Sequence, residues 1–491
     1  MDPRKVVRER LQAEVGTRFK DAPERIALLY PSPYYVGMSS LGFQTIYREI
    51  NDGSCRAAER AFLPDDVAWT RSHKQGIATY EGNRPLSDFP VVAVSIAYEL
   101  ELAGLVEALD LANIPVLAEQ RDDSHPLVIC GGPLTNSNPL PVVPFADAIV
   151  MGEADESVHR TLDAIFGARD RQHALDQLHR YVPECFVPTI ARSLPELGKA
   201  AADKLPAFAP IRTPHTELSD MFLIEAERGC SRGCSYCVMR RSTNGGMRIV
   251  PHTEVLAHIP EQAQKVGLVG AAVSDHPKIV EILHAIADGG RTASLSSLRP
   301  DRLKEEFVKA LKRCGARSLT TALDASSQRL RDHINRKTRE RHILRVAELA
   351  HEHKFKQLKL YMMVGLPDET DEDIDELVRF AGELSRIHPL ALGISPFVPK
   401  RNTPLDGAPF AGIKVVERRL GRLRRGLHGR VDLRATSARW AWVEYMLSQG
   451  SRAEGLAVLD ATRAGGRFAA YRHAFEQLPK DRARRSLRVV S

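Results

Sequence analysis

The chain has 491 residues, 43% hydrophobic and 27% charged, with a formal net charge of +7. That length allows two to four domains with cores of their own, and the composition is that of an ordinary soluble globular protein. No apolar run reaches the length of a membrane span, and Met1-Asp2-Pro3-Arg4-Lys5 leads into no signal-peptide core, so a cytoplasmic location and no membrane partner are expected. Of the seven cysteines, three cluster tightly, while Cys55, Cys130, Cys185 and Cys314 are scattered and read as plain thiols of a reducing compartment.

Residues 1–24 read as a polar helix and lead-in. An apolar run over 25–30 ends in Pro31-Ser32-Pro33, a strand followed by a turn, and a helix follows over 42–47. Strands over 90–95, 127–130 and 147–152 alternate with helices over 100–112 and from about 155. This spacing predicts a Rossmann-like, doubly wound parallel sheet over 1–189. Ligands on such sheets sit at the carboxyl ends of strands, where Ser95, Gly131 and Gly132 fall. Residues 190–219 carry Leu194-Pro195, Leu205-Pro206, Ala209-Pro210 and Thr213-Pro214 without periodicity, and read as a linker.

Residues 225–239 are Glu-Ala-Glu-Arg-Gly-Cys-Ser-Arg-Gly-Cys-Ser-Tyr-Cys-Val-Met, which places Cys230, Cys234 and Cys237 in a C-x-x-x-C-x-x-C arrangement. A short buried strand over 221–224 precedes them, and Gly229 and Gly233 let the backbone turn freely. Three thiolates on a loop that leaves a strand are placed to converge on one metal centre. Four iron atoms bridged by sulfide normally take four cysteines, so three would leave one iron open for another ligand. The plainer alternative is zinc, which usually draws on a further nearby Cys or His pair; the nearest histidines are His215 and His252.

Alternation resumes over 220–404. Strands over 267–273, 292–296, 318–323, 357–364 and 391–397 are separated by helices over 277–287, 303–311, to 331, over 342–351 and from 371. With the strand before the cysteines these make six β/α units, a partial (β/α)6 TIM-like barrel whose reactive groups gather at the carboxyl ends of the strands. Those ends carry Ser274-Asp275, Ser297-Leu298-Arg299, Asp324-Ala325-Ser326-Ser327 and Gly365-Leu366-Pro367-Asp368-Glu369-Thr370. The Ser and Asp residues among them would serve equally as helix N-caps. Cys314, before Gly315, reads as the neighbour of a helix C-cap.

Beyond 404 the text changes to a basic, helical C-terminal region over 405–491, with helices over 415–427, 438–447, 452–464 and 466–478. Trp440, Trp442, Tyr445, Phe468, Tyr471 and Phe475 read as a small packed core, and 480–491 as a loose tail. From Gly412 to Ser491 there are 18 Lys or Arg against 7 Asp or Glu. Such an end fits an anionic partner, RNA or a phosphorylated metabolite, or simply a solvated face.

Cys230, Cys234 and Cys237, with Tyr236 before the last of them, resemble the cluster loop of the radical SAM superfamily. The likeness covers 220–404, including Asn335-Arg336-Lys337 and Ser395-Pro396-Phe397-Val398-Pro399-Lys400. It implies an enzyme with a [4Fe–4S] cluster on the three cysteines and S-adenosylmethionine (SAM) on the open iron. An electron from a reductant such as flavodoxin or ferredoxin would cleave the C5′–S bond to give a 5′-deoxyadenosyl radical. By position the resemblance assigns Tyr236, Ser274, Ser297, Arg299, Asp324 and Ser327 to the SAM pocket, with Gly365 near adenine. Asp324 stands where many relatives carry a glutamate.

The first portion resembles the cobalamin-binding-type domain that often precedes such a core, at Tyr30-Pro31-Ser32-Pro33, Val94-Ser95, Cys130-Gly131-Gly132-Pro133 and Val150-Met151-Gly152-Glu153. It lacks the Asp-x-His-x-x-Gly motif that supplies a cobalt-ligating histidine in many cobalamin proteins. The resemblance therefore leaves two enzymatic outcomes open. With cobalamin beside Ser95, Gly131 and Gly132, methyl transfer to an unactivated carbon is expected; without it, modification of RNA or a ribosomal protein held by the basic end. A different class is a non-catalytic metal-binding module that holds nucleic acid.

Overall fold

The computed structural model describes residues 3–239, 246–296 and 298–479. The chain forms two compact units: Met1–Asp220 joined by the segment from Gly450 onward, and Met221–Gln449. Among the described residues no helix is long and apolar enough to cross a membrane.

The first unit is built on β1 (Glu24–Pro33), β2 (Arg56–Leu63), β3 (Val91–Ser95), β4 (Leu127–Gly131), β5 (Ala148–Val150) and β6 (Cys185–Phe186), in the order β2-β1-β3-β4-β5-β6. All pair in parallel except β6, which is antiparallel on the edge. Helices Leu41–Asp52, Glu101–Leu111 and Ser157–Phe166 connect the strands, giving the doubly wound arrangement. Ile26 to Tyr30 are all buried, as a central parallel strand covered on both sides requires. β1 continues through Pro31-Ser32-Pro33, where a turn was expected.

β2 has no counterpart in the sequence reading. Its Arg-Ala-Ala-Glu-Arg-Ala-Phe-Leu text is too charged to read as a buried strand, yet Glu59 and Arg60 are inside. Arg60 is fully buried, paired with Glu14 at 2.7 Å and Glu81 at 2.6 Å. Each charge enters the interior with a partner, which is the condition for burying it at all.

The presumed linker is part of this unit. Ala209 and Ile211 are buried, Gly198 bridges to Gly152 and Arg212 to Val15, and Ile211 N–H donates to Gln44 Oε1 at 3.0 Å. Its prolines mark a strap laid on the sheet domain, not a free tether.

The second unit holds β7 (Met221–Glu225), β8 (Glu227–Gly229), β9 (Met247–Ile249), β10 (Lys265–Val269), β11 (Thr292–Leu295), β12 (Ser318–Asp324), β13 (Gln357–Val364), β14 (Leu390–Pro396) and β15 (Asp432–Ala435). β8 and β9 form a small antiparallel ribbon. The others are parallel, in two hydrogen-bonded arcs, β11-β10-β7 and β12-β13-β14-β15. This is the partial barrel, with its six expected strands and a seventh, β15, from a stretch expected to be helical only.

The region expected over 405–491 is not one body. Helices Ile413–Leu427 and Ala438–Ser448 belong to the barrel unit, whereas Arg452–Arg463 and Phe468–Glu476 belong to the first. There Asn138 Nδ2 donates to the Gly450 carbonyl at 2.9 Å and Arg452 pairs with Glu119 at 2.8 Å. The expected aromatic core is divided accordingly: Tyr471 and Phe475 are buried in the first unit, while Trp440, in the second, is 39% exposed. The expected tail lies outside the described residues.

Candidate metal centre

The cysteine loop starts where β8 ends. Gly229 has φ of +99°, a conformation that favours glycine, and turns the chain out of the ribbon. Cys234 is buried, and Cys230 and Cys237 are half-buried. The loop is tied down by two backbone bonds, Ser235 N–H to Ile334 O at 3.0 Å and Leu405 N–H to Ser235 O at 3.2 Å, and by the Asn335 side-chain amide, whose Nδ2 donates to Gly233 O at 2.9 Å. The thiols therefore stand at the carboxyl ends of the barrel strands on a loop fixed from both sides.

Burial pushes the Cys230 thiol up and Cys237 up to about 11, and the neighbouring cysteines add to both shifts. Cys230 and Cys237, so crowded out of water, release their protons readily only to a cation that binds them. Among the described residues no three His, Cys, Asp or Glu side chains converge closely enough for a single ion. Cysteines of a four-iron cluster each bind a different iron, so they need not meet at one point. Three thiols that leave one iron open are the donor set such a cluster would use.

Around this loop the structure brings together most of the expected residues. Asp324 has φ of +67°, a strained conformation for a non-glycine. Its carboxylate pairs with Arg336 and accepts a hydrogen bond from Tyr236. Burial drives Asp324 upward, with Arg336 and Tyr236 opposing, and burial followed by the Asp324 charge drives the Tyr236 phenol strongly up. Ser274 Oγ accepts from the Arg299 backbone N–H at 2.9 Å, and the Arg299 guanidinium pairs with Asp275 and, at 2.6 Å, with Asp301. Asp301 in turn holds Arg232 of the cysteine loop at 2.7 Å.

Other expected residues are already committed. Ser327 is fully buried, caps the next helix through Leu330 N–H at 3.2 Å and donates to Asp373 at 2.5 Å. Gly365, at φ of +88°, donates its N–H to buried Glu369 at 2.5 Å, and Glu369 pairs with Arg419 at 2.9 Å. Ser297 lies outside the described residues.

One residue was missed. Glu227 is 0% exposed; its Oε1 accepts from Ala272 N–H at 2.6 Å, and its Oε2 has no partner among the described residues. Burial pushes it up to about 7, the Ala272 bond opposes, and Glu225 and Asp275 add to the rise. A buried carboxylate with an idle oxygen beside the cysteine loop fits a ligand that carries a cation, as the ammonium of SAM does. Its sequence signal was faint: a glutamate three residues before the first cysteine, on a strand too short to read.

The first unit's candidates also meet. Ser95 pairs with Gly131 at the carboxyl ends of β3 and β4. Gly132 has φ of +102°, and a β-carbon there would come within 2.6 Å of the Ile96 carbonyl oxygen, so the chain's own backbone uses the space. Between β1 and β3, where the strand order reverses, Glu101 Oε2 accepts from Ala97 N–H at 2.6 Å, and Ser32 Oγ donates to Oε1 at 3.4 Å. A β-carbon on Gly104 would collide with the Pro31 carbonyl oxygen. The usual ligand crevice of such a sheet is filled by its own helix, and the residues present fit a buried cobalamin tail poorly.

Comparison with known proteins gives two family matches: "Radical SAM proteins, N-terminal" over residues 42–188 and "Radical SAM superfamily" over 224–381. An uncharacterised protein of Methanocaldococcus jannaschii is 26% identical over 404 residues, 79% of this chain and 80% of the relative. The ribosomal protein uS12 methylthiotransferase RimO of Clostridioides difficile is 23% identical over 359 residues, 68% of this chain and 73% of RimO. Among solved structures, the cobalamin-dependent S-adenosylmethionine radical enzyme OxsB with aqua-cobalamin and SAM bound aligns with a TM-score of 0.52 at 11% identity. That alignment covers 83% of this chain and 58% of OxsB, and at such identity it speaks for the fold alone.

Proposed function

Since this chain belongs to the radical SAM superfamily, with a cobalamin-binding-like domain ahead of the barrel, we propose that Cys230, Cys234 and Cys237 hold a [4Fe–4S] cluster and that SAM binds beside it at the strand ends. The observation that carries this reading is the cysteine trio fixed at the mouth of a partial barrel, with the idle Glu227 oxygen beside it. With an electron from a reductant such as flavodoxin or ferredoxin, the cluster and SAM would supply a 5′-deoxyadenosyl radical that abstracts hydrogen from the substrate.

The chain's own residues bind and orient. Glu227 would accept the SAM ammonium on Oε2, while Ala272 N–H fixes Oε1. Arg299, held by Asp275 and Asp301, has little charge left for a carboxylate; it aligns the β11 end and, through Asp301, the cysteine loop. The Tyr236–Asp324–Arg336 group holds the other side of the loop. Ser327 and Gly365 shape the strand ends from behind. Because the crevice of the first unit is occupied by Glu101, no step is assigned to cobalamin.

Anaerobically reconstituted protein should carry about four irons per chain and release 5′-deoxyadenosine from SAM under reduction. Stoichiometric zinc without SAM cleavage would instead favour a binding module. A second reading, modification of a ribosomal protein or RNA, draws on the RimO relatives and the basic end. Much of that charge is internally paired, however: Arg419 with Glu369, Arg422 with Asp375, Arg452 with Glu119 and Arg463 with Asp110.

A further inference from the structure

Alternate residues of β12 and β13 are buried and those between them are not, and β14 follows the same pattern from Leu392 onward. Register aligns the open ones: Thr320 and Lys359 on one rung, beside the buried Ala391, and Ala322, Tyr361, Gly393 and Arg434 on the next. Partners in register point to the same face. Tyr361 thus stands between two positions with almost no side chain. Its Cδ1 and Cε1 lie 2.6 and 2.7 Å from where a β-carbon of Gly393 would be, and it is 56% exposed.

A large aromatic half in water, in mid-strand, lying over a glycine and with only an alanine on its other side, leaves a ring face open to be stacked upon. Lys359, one rung away, is half-buried and makes no ion pair or hydrogen bond among the described residues. The neighbouring Arg434 pairs with Asp432 at 2.9 Å, so Lys359 is the uncompensated charge. Two residues further along β13, about 7 Å at strand rise, Met363 packs in the same apolar cluster as Tyr236. The open face therefore runs up to the cysteine loop.

We propose that this face binds the substrate and that the substrate is a nucleotide, its base stacked on Tyr361 and its phosphate at Lys359. The inference rests on the radical SAM reading and names the substrate class of that same site. A ring bearing its anion directly would bring both groups onto Tyr361. A nucleotide interposes a sugar, which suits two anchors about 7 Å apart along the strand.

The test is equilibrium dialysis of the reconstituted full chain with uridine 5′-monophosphate, against uridine and inorganic phosphate, and in a second arm with a short single-stranded RNA. Retention of the monophosphate above both controls supports a free nucleotide; retention of RNA alone supports a nucleotide within a strand. Tyr361→Ala should weaken the retained probe roughly fivefold to a hundredfold, the span of base–aromatic stacking, and Tyr361→Phe should preserve it. Lys359→Gln should reduce the monophosphate to the level of uridine. The inference is overturned if no probe binds, if both variants bind as wild type does, or if Tyr361→Ala weakens SAM and not the nucleotide. Release of 5′-deoxyadenosine is measured separately, so its absence would remove the radical reading while the nucleotide result still stands.

Discussion

The Glu227 carboxylate occupies the space that a β-carbon at position 270 would fill, and Gly270 is the residue that follows β10. The glycine exists so that a carboxylate from the neighbouring ribbon can reach the strand end and take Ala272 N–H at 2.6 Å. Two substitutions separate charge from shape. Glu227→Gln keeps the shape and removes the charge that meets the ammonium; SAM should bind about tenfold more weakly or worse, tenfold being roughly 1.4 kcal/mol, with iron content unchanged. Gly270→Ala should displace the carboxylate and weaken SAM similarly. Calorimetric titration with SAM reads both, and wild-type affinity in Glu227→Gln would remove the assignment.

The cysteines divide into ligands and bystanders. Cys230→Ala, Cys234→Ala or Cys237→Ala should each give colourless protein with iron well below the wild-type content after anaerobic reconstitution. Cys314 is buried with Sγ donating to the Leu283 carbonyl at 3.1 Å, and Cys314→Ala should leave iron and colour intact. Iron analysis with the absorption spectrum decides. Full iron in any of the first three would mean another side chain completes the cluster.

The fold was legible where burial is purely apolar. The runs at Ile26, Val91 and Leu127 are readable as strands because nothing polar interrupts them, and the run at Leu358 because its apolar residues alternate. β2 was illegible because its interior charges, Glu59 and Arg60, find partners far away in sequence: Thr79 donates to Glu59, and Glu14 and Glu81 receive Arg60. The cysteine trio was readable from spacing alone. Glu227 was not, since its meaning depends on Gly270, which β-pairing brings near. The strand-end serines were ambiguous for a physical reason: a hydroxyl that can hold a ligand can equally cap a helix, as Ser327 does.

Arg60 carries a prediction about stability. It is fully buried between Glu14 and Glu81, and its guanidinium lies 5.1 Å from the centre of the Tyr47 ring. Arg60→Met leaves two carboxylates without their cation, which should cost about 3–5 kcal/mol. Urea unfolding followed by circular dichroism should show the transition of the first unit moved to lower urea. An unchanged midpoint would mean that water reaches the pair.

The first unit should not retain a corrin. Glu101 and the Gly104–Pro31 contact fill the space between β1 and β3, and Gly132 lies against the Ile96 backbone. Protein mixed with hydroxocobalamin should elute from gel filtration without corrin absorption. A co-eluting band at one corrin per chain would show that the helix Glu101–Leu111 yields, and would bring methyl transfer back as the favoured outcome.

His388 sets a pH limit on the barrel unit. It is 5% exposed just before β14, and both its ring nitrogens lack hydrogen-bond partners among the described residues. Burial, and then the facing His351, hold its pKa below the usual 6.5. The folded state therefore binds the proton less readily than the unfolded chain, so this residue's stability contribution is intact above 6.5 and declines as pH falls through that value. His388→Phe removes both orphaned nitrogens and the titration together, and a change that replaces an unpaired polar group by an apolar one of similar shape is neutral or stabilising. Thermal unfolding at pH 8 and pH 5.5 should show a smaller difference in the variant than in wild type. An equal difference would mean that a water or an ion already satisfies the ring.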